Sequence, residues 1–283
     1  MPLYVVGTPI GNLKDLSLRA IETLQQVDVI ACEDTRTTRV LLNRYDISTP
    51  TLSYHEHNEA ARSAELLERL RANQGVAIVS DAGTPTISDP GFRLISAAAA
   101  EGIPVVTIPG PSAPIAALAA SGLPTDRFFF AGFLPSRGGP RRKALRGLAG
   151  LDCTLIFFES PLRLPGTLQD IAHELGADRA VVVGRELTKL HEEFLRGSAG
   201  ELAATAKPTR GEITLLVGPP AQTAQAMPSQ RSLVKEYSDL LASGLERTKA
   251  LRVLSDRYGL PRREIYALVV VKRKLPPRVM PET

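Results

Sequence analysis

Short runs that are apolar throughout alternate along this chain with longer stretches in which apolar positions recur every three or four residues. Residues 3–6, 29–32, 76–79 and 105–108 form the first set of runs and read as strands; 16–26, 59–72 and 92–101 carry the helical period. Strand, helix and strand in succession predict parallel crossover units. Strands without a polar face predict a sheet covered by helices on both sides.

The alternation resumes after an Ala-rich helical stretch at 112–121. Strands are predicted at 127–132, 154–158, 180–183 and 213–217, interleaved with helices at 164–175 and 200–207. The tight Pro109-Gly110-Pro111 turn marks a boundary between a first α/β domain, 1–111, and a second, 112–218. Residues 219–230, with Pro219, Pro220 and Pro228, read as a linker. Beyond it, 231–283 predicts a small helical module, with helices at 233–241, 246–258 and 262–274 and Pro261 at the first turn of the last. Its outline fits a helix-turn-helix shape and equally a packing or dimerisation bundle.

Charge changes this picture where it is located. Residues 1–230 carry 22 Lys and Arg against 24 Asp and Glu, a net of −2; residues 231–283 carry 12 against 6, a net of +6. A weakly acidic body with a basic appendage fits a catalytic body plus a module that meets a polyanion, and also fits a solvated helical surface. No secretory pattern opens the sequence, and the longest apolar runs, such as the one around Leu268 to Val271, are too short to span a bilayer. Cys32 and Cys153 lack disulfide or zinc spacing. These features predict a cytoplasmic protein without a structural metal.

Candidate chemistry sits where the first four strands end. Those ends read Gly7-Thr8-Pro9-Ile10-Gly11-Asn12, Cys32-Glu33-Asp34-Thr35-Arg36, Ser80-Asp81-Ala82-Gly83-Thr84-Pro85 followed by Ile87-Ser88-Asp89-Pro90-Gly91, and Pro109-Gly110-Pro111-Ser112-Ala113. Open parallel sheets bind ligands at the carboxyl ends of their strands, so the convergence is informative although each loop alone is an ordinary turn. The first loop has neither the dinucleotide spacing nor the Gly-Lys-Ser/Thr ending of a phosphate loop.

The motifs GTPIGNL, ACEDTR, YHEHNE, SDAGTPTISDPG, PGPSA, FFESP, GRELTKLHEE and GEITLLV occur in this order. On them the chain, from residue 1 to 218, resembles the ribosomal RNA small-subunit methyltransferase I family of the tetrapyrrole methylase superfamily. Lys14 departs from the pattern, which favours a small residue there. The resemblance implies two α/β domains of the tetrapyrrole methylase type (class III methyltransferase), a homodimer, and S-adenosylmethionine bound between the domains. Carried over motif by motif, the cofactor contacts are Ile10, Asp81, Thr84, Ser112, Ala113, Phe158 and Leu187. The implied reaction is methylation of a cytidine ribose 2'-hydroxyl in bacterial 16S ribosomal RNA, free or in the assembled 30S subunit. A tetrapyrrole methyltransferase and a non-catalytic RNA-binding assembly protein are the alternatives.

A ribose hydroxyl needs a base within reach as it attacks. Asp34 is the favoured candidate, with Glu33, Arg36, Glu159 and Lys189 in the same predicted catalytic group; Glu33, Asp34 and Arg36 also fit a structural ion-pair network. His57, together with Arg137, Arg141, Arg142 and Lys143 on a glycine-containing and mobile basic loop, is expected to contact RNA; for that loop a solvated helix start is the alternative.

Overall fold

The computed structural model describes residues 1–220, 229–258 and 260–269. Two compact units divide the chain, Met1–Pro220 and Ala221–Thr283.

The first unit holds two five-stranded sheets. In the first sheet, β1 (Leu3–Val6), β2 (Val29–Cys32), β3 (Thr51–Ser53), β4 (Val76–Val79) and β5 (Val105–Ile108) run parallel in the order β3-β2-β4-β1-β5. β2 and β4 are buried along their whole length, as central strands covered on both faces must be. Helices α1 (Leu18–Gln26), α2 (Thr35–Arg44), α3 (Glu59–Arg71) and α4 (Phe92–Ala100) are the crossovers. Ser17 starts α1 by accepting a hydrogen bond from the Ala20 amide, which satisfies one of the free donors of the first turn. Val6, Leu24, Ile30 and Leu42 close one face of the sheet; Leu3, Tyr54, Leu66, Ile78 and Leu94 close the other.

The second sheet contains β6 (Phe128–Phe133), β7 (Thr154–Glu159), β8 (Ala180–Arg185), β9 (Glu193–Ser198) and β10 (Ile213–Val217), in the order β6-β7-β10-β8-β9. β6 and β7 are parallel and the remaining pairs antiparallel. α6 (Gly138–Leu148), α7 (Leu164–Leu175) and α8 (Ala199–Thr205) share its core of Leu145, Leu155, Phe157, Leu168 and Leu215. The helix between the sheets, α5 (Ala113–Ser121), is almost wholly apolar and ends at Gly122 in the left-handed region that favours glycine. Ala117 and Leu118 of α5 pack with Ile156, Val182 and Leu216 of the second sheet, and Ile10 and Leu187 join the same cluster. A loop of the first sheet is thereby locked to the second sheet by apolar contact.

In the second unit, α9 (Gln230–Ala242), α10 (Arg247–Tyr258) and α11 (Arg262–Val269) bury Leu233, Tyr237, Ala250, Leu254 and Ile265 in a core of their own. Most of the expected linker, and the expected continuation of the last helix to 274, lie outside the described residues.

The basic segment after β6 is the regular helix α6, with Pro140 in its first turn, rather than a mobile loop. Carboxylates of α7 hold it down. Arg141 is buried and its Nε donates to Asp170 at 2.6 Å, Arg142 reaches the same carboxylate at 3.3 Å, and Arg146 donates to Glu174 at 2.8 Å.

Candidate active site

The loops at the ends of β1, β4 and β5 are tied together by their backbones. A Cβ on Gly7 would stand 2.8 Å from the backbone of Gly110, and one on Gly110 would stand 2.8 Å from Gly7, so this crossing admits no side chain on either strand end. Thr8 and Gly83 exchange backbone hydrogen bonds of 2.8 and 3.1 Å, and the Thr84 hydroxyl donates to the Pro111 carbonyl at 3.3 Å. The loop after β4 is under backbone strain, since Thr86 and Ser88 lie at φ +74° and +67°.

Glu59 holds that loop from behind. One oxygen of its carboxylate accepts from the amides of Gly91 and Arg93, at 3.2 and 3.4 Å, and from the Tyr54 hydroxyl at 3.1 Å. Tyr54 is buried, and burial, aided by the adjacent Glu59 carboxylate, pushes its hydroxyl pKa up to about 12 against the opposing hydrogen bond to Ser63. It remains a protonated donor, so the motif Tyr54 to Glu59 anchors the end of the loop at Gly91 and Arg93.

These loops floor a cleft of about 420 Å³. Ile10, Asp81, Ala82 and Ile87–Asp89 enter it from the first half, and Ala113 from the start of α5. Phe133, Phe158–Pro161, Leu187 and Gly211–Thr214 enter from the second half. Of the seven expected cofactor contacts, Ile10, Asp81, Ala113, Phe158 and Leu187 line the cleft together. Thr84 spends its hydroxyl on Pro111 outside the lining, and Ser112 is the residue preceding the first turn of α5.

Carboxylates dominate the polar part. Burial raises the pKa of Asp89, opposed by a Ser80 hydrogen bond and reinforced by Asp81; burial likewise raises Asp81, opposed by the 3.0 Å hydrogen bond from the Asp34 amide and reinforced by the Asp34 charge. Glu33 stands outside the lining and is raised by burial and then by Asp81, Asp89 and Asp34. Asp34 goes the other way: hydrogen bonds from the Arg36 side chain and amide lower it to about 2. It caps α2 and pairs with Arg36 at 2.7 Å, and neither residue lines the cleft. A carboxylate so acidic is a poor base at neutral pH.

Two further members of the predicted catalytic group are committed to structure. Glu159 has a fully buried side chain, with Oε1 accepting from the Ser160 amide at 2.6 Å and from Arg163 at 2.8 Å, and Oε2 accepting from Thr167 at 2.6 Å. Lys189 donates to Glu186 at 2.8 Å and to Glu212 at 3.1 Å; burial works to lower its pKa, but these two carboxylates outweigh it and raise it. The same network fixes the 186–189 loop, where Glu186 and Thr188 lie at φ +52° and +65°. A Cβ on Gly11 would stand 2.5 Å from the Lys189 side chain, so the first loop of the chain passes directly beneath this one. Arg137, Arg142, Lys143 and His57 are exposed, whereas Arg141 is buried against Asp170. Among the described residues no three His, Cys, Asp or Glu side chains gather as metal ligands.

Asp89, Ile87 and Ser88, read from the sequence as part of the third strand end but given no role there, line the cleft, and so does Phe133. The motif SDAGTPTISDPG carried a signal for the first three, since Asp89 closes the same loop that Asp81 opens. Phe133 carried none, because its position depends on a strand irregularity.

Comparison with known proteins gives this geometry a family. Residues 2–203 match the model for tetrapyrrole (corrin/porphyrin) methylases. A protein of Synechocystis sp. named ribosomal RNA small subunit methyltransferase I is 48% identical over 94% of this chain and 96% of its own length. The chain belongs to the ribosomal RNA small subunit methyltransferase I branch of the tetrapyrrole methylases. Another member of that branch, from Thermotoga maritima, is 50% identical over 76% of this chain and 97% of its own. The class III methyltransferase fold is shared with uroporphyrin-III C-methyltransferase of Thermus thermophilus, solved in complex with S-adenyl homocysteine. That match has a TM-score of 0.55 and 21% identity over 77% of this chain and 97% of the other. In this tetrapyrrole methylase the cleft lies at the carboxyl ends of the parallel strands, where such sheets place their ligands.

Proposed function

We propose that this tetrapyrrole methylase moves the methyl group of S-adenosylmethionine to the 2'-hydroxyl of a cytidine in small-subunit ribosomal RNA. The observation that carries the reading is the pairing of a carboxylate-floored, apolar-walled cleft with relatives named as ribosomal RNA small-subunit methyltransferases over nearly the whole chain.

The residues present fit the cofactor. It bears an ammonium and a sulfonium and no phosphate, and the cleft offers the carboxylates of Asp81 and Asp89 beside the apolar Ile10, Ala113, Phe158 and Leu187. When bound, the cofactor supplies a methyl group already activated by its cationic sulfur. The chain's own contribution is position, an apolar wall that excludes water, and a proton acceptor. Asp89 is the best-placed acceptor, because it lines the cleft and its burial raises its basicity, whereas Asp34 is held near 2 by Arg36. Asp81 holds cofactor in this scheme.

RNA contact is assigned to Arg137, Lys143 and His57, and to the second unit, where Arg247, Lys249, Arg262 and Arg263 are exposed. Self-association as a homodimer is supported by apolar residues exposed on two edge strands, Val105 and Val106 on β5 and Phe128 and Phe129 on β6. No helix among the described residues is long and apolar enough to cross a membrane, in keeping with action on ribosomal RNA in the cytoplasm.

The test is transfer of labelled methyl from S-adenosylmethionine to 30S subunits and to free 16S RNA, followed by nucleoside mass spectrometry. A 2'-O-methylcytidine is expected. Label on a base, or on a porphyrinoid and not on RNA, refutes the reading.

A further inference from the structure

Phe133 is placed by a break in the rules of its own strand. β6 and β7 pair in parallel with Phe130 opposite Ile156, but the next registered pair is Phe133 opposite Phe158. Three steps along β6 therefore match two along β7, which is one extra residue, and Gly132 within the bulge lies at φ +64°. Side chains alternate between faces along a strand. Without the extra residue, position 132 would stand opposite Phe158 and Phe133 would turn to the opposite face. The bulge brings Phe133 onto the face that opens into the cleft, 5.4 Å from the Phe158 ring centre, while Phe130 flanks Phe158 at 5.0 Å.

The outcome is costly on its own terms. Phe133 remains 60% exposed, although it sits beside two other aromatic rings that bury more of themselves. Ile87, which lines the same cleft from the strained loop of the first half, is 43% exposed. A bulge that spends a left-handed glycine to hold an aromatic ring half in water makes sense if something planar covers that ring.

We infer that Phe133 is a stacking platform for the nucleobase of the target nucleotide, with Ile87 completing an apolar subsite at the cleft mouth. The inference rests on the proposed RNA substrate and names the part of the site that receives it. Chemistry on a ribose inside folded RNA needs the nucleotide splayed from its neighbours, and aromatic faces compensate lost base stacking. The cofactor's own adenine is assigned to the inner walls, because Ile10 and Leu187 are buried and Phe158 partly so. The exposed ring is left to meet a partner arriving from solvent.

The experiment compares wild type, Phe133→Ala, Phe133→Tyr and Gly132→Ala for methylation of 30S subunits and for S-adenosylmethionine affinity by calorimetry. Phe133→Ala is expected to lower kcat/KM for subunits by about tenfold or more, the usual scale for a lost base–aromatic stack, with cofactor affinity unchanged. Phe133→Tyr keeps a ring and should keep most of the activity. Gly132→Ala strains the bulge and should follow Phe133→Ala. An unaltered kcat/KM in Phe133→Ala overturns the inference, and so does a parallel loss of cofactor affinity, which would give the ring to the cofactor's adenine. Wild type that leaves subunits unmethylated would instead defeat the substrate reading itself.

Discussion

Replacing Glu159 by alanine should unfold this protein sooner rather than stop its chemistry. The carboxylate is fully buried and accepts from three donors, so its removal leaves the Thr167 hydroxyl, which is 0% exposed, and the Ser160 amide without a partner. An unsatisfied buried donor costs about 1–3 kcal/mol. Arg163 keeps 29% of its side chain in water, so its lost ion pair adds less than that of a fully buried cation. Together these losses come to about 3–5 kcal/mol, the usual range for breaking a buried pair from one side. In a unit of this size each kcal/mol moves the midpoint by about 2–4 °C, so a drop on the order of 10 °C is expected. Glu159→Gln retains acceptor capacity for Thr167 and should lose about half as much. Thermal denaturation by circular dichroism measures the shift, and methyl transfer is then assayed well below the lowered midpoint. A Glu159→Ala protein with an unshifted midpoint and no methyl transfer would return this residue to the chemistry and refute the reasoning.

Cofactor affinity should fall on acidification. Burial raises Asp81, which holds the cofactor, from its ordinary value, and raises Asp89 beside it in the cleft likewise; a cationic ligand is held best when both are ionised, so binding is full above their raised pKa values and weakens as pH drops through them. The ligand-free protein responds in the opposite sense, because a raised carboxylate contributes stability that is present at low pH and lost as pH rises through the folded value. Calorimetry across about pH 4 to 7 reads the first effect; a flat affinity would exclude both carboxylates from the cofactor site. Gly110→Ala should cost about 1–3 kcal/mol in urea unfolding, since the added carbon meets the Gly7 backbone; no loss would mean the crossing is looser than described. Deleting residues 231–283 should weaken RNA binding and flatten its salt dependence while sparing cofactor affinity, because each lost phosphate contact removes counterion release. An unaltered salt slope with conversion from dimer to monomer would assign the module to assembly instead.

Much of the fold is legible in the sequence because its central strands are buried on both faces and so carry unbroken apolar runs, as in Val76–Val79. β3 escapes that reading because it is three residues long and begins after Pro50, and α2 because Thr35–Arg44 is largely polar and leans on Asp34 for its start. α6 is disguised by Gly138, Gly139 and Pro140 at its opening; its arginines look like free charge until Asp170 and Glu174 are placed opposite them across a helix pair. The site divides similarly. Asp81 and Ile10 stand on loops whose Gly and Pro content announces a close approach, so strand-end reasoning reaches them. The surroundings of Glu159 and Lys189 are harder to read: Thr167 reaches Glu159 only because α7 folds back beside the end of β7, and Glu212 meets Lys189 from 23 residues away.

The contact between Gly7 and Gly110 has a consequence for how such a site changes over evolutionary time. Its frame is specified by side chains that are absent, so the two positions are jointly constrained: an atom added at either one collides with backbone at the other, and no substitution of the partner makes room. The cleft residues of the first half, among them Ile10, Asp81, Ile87 and Asp89, hang from that frame on replaceable side chains. Geometry is inherited through main chain and specificity is written in side chains, so a lineage can exchange one methyl acceptor for another without rebuilding the scaffold that aligns it.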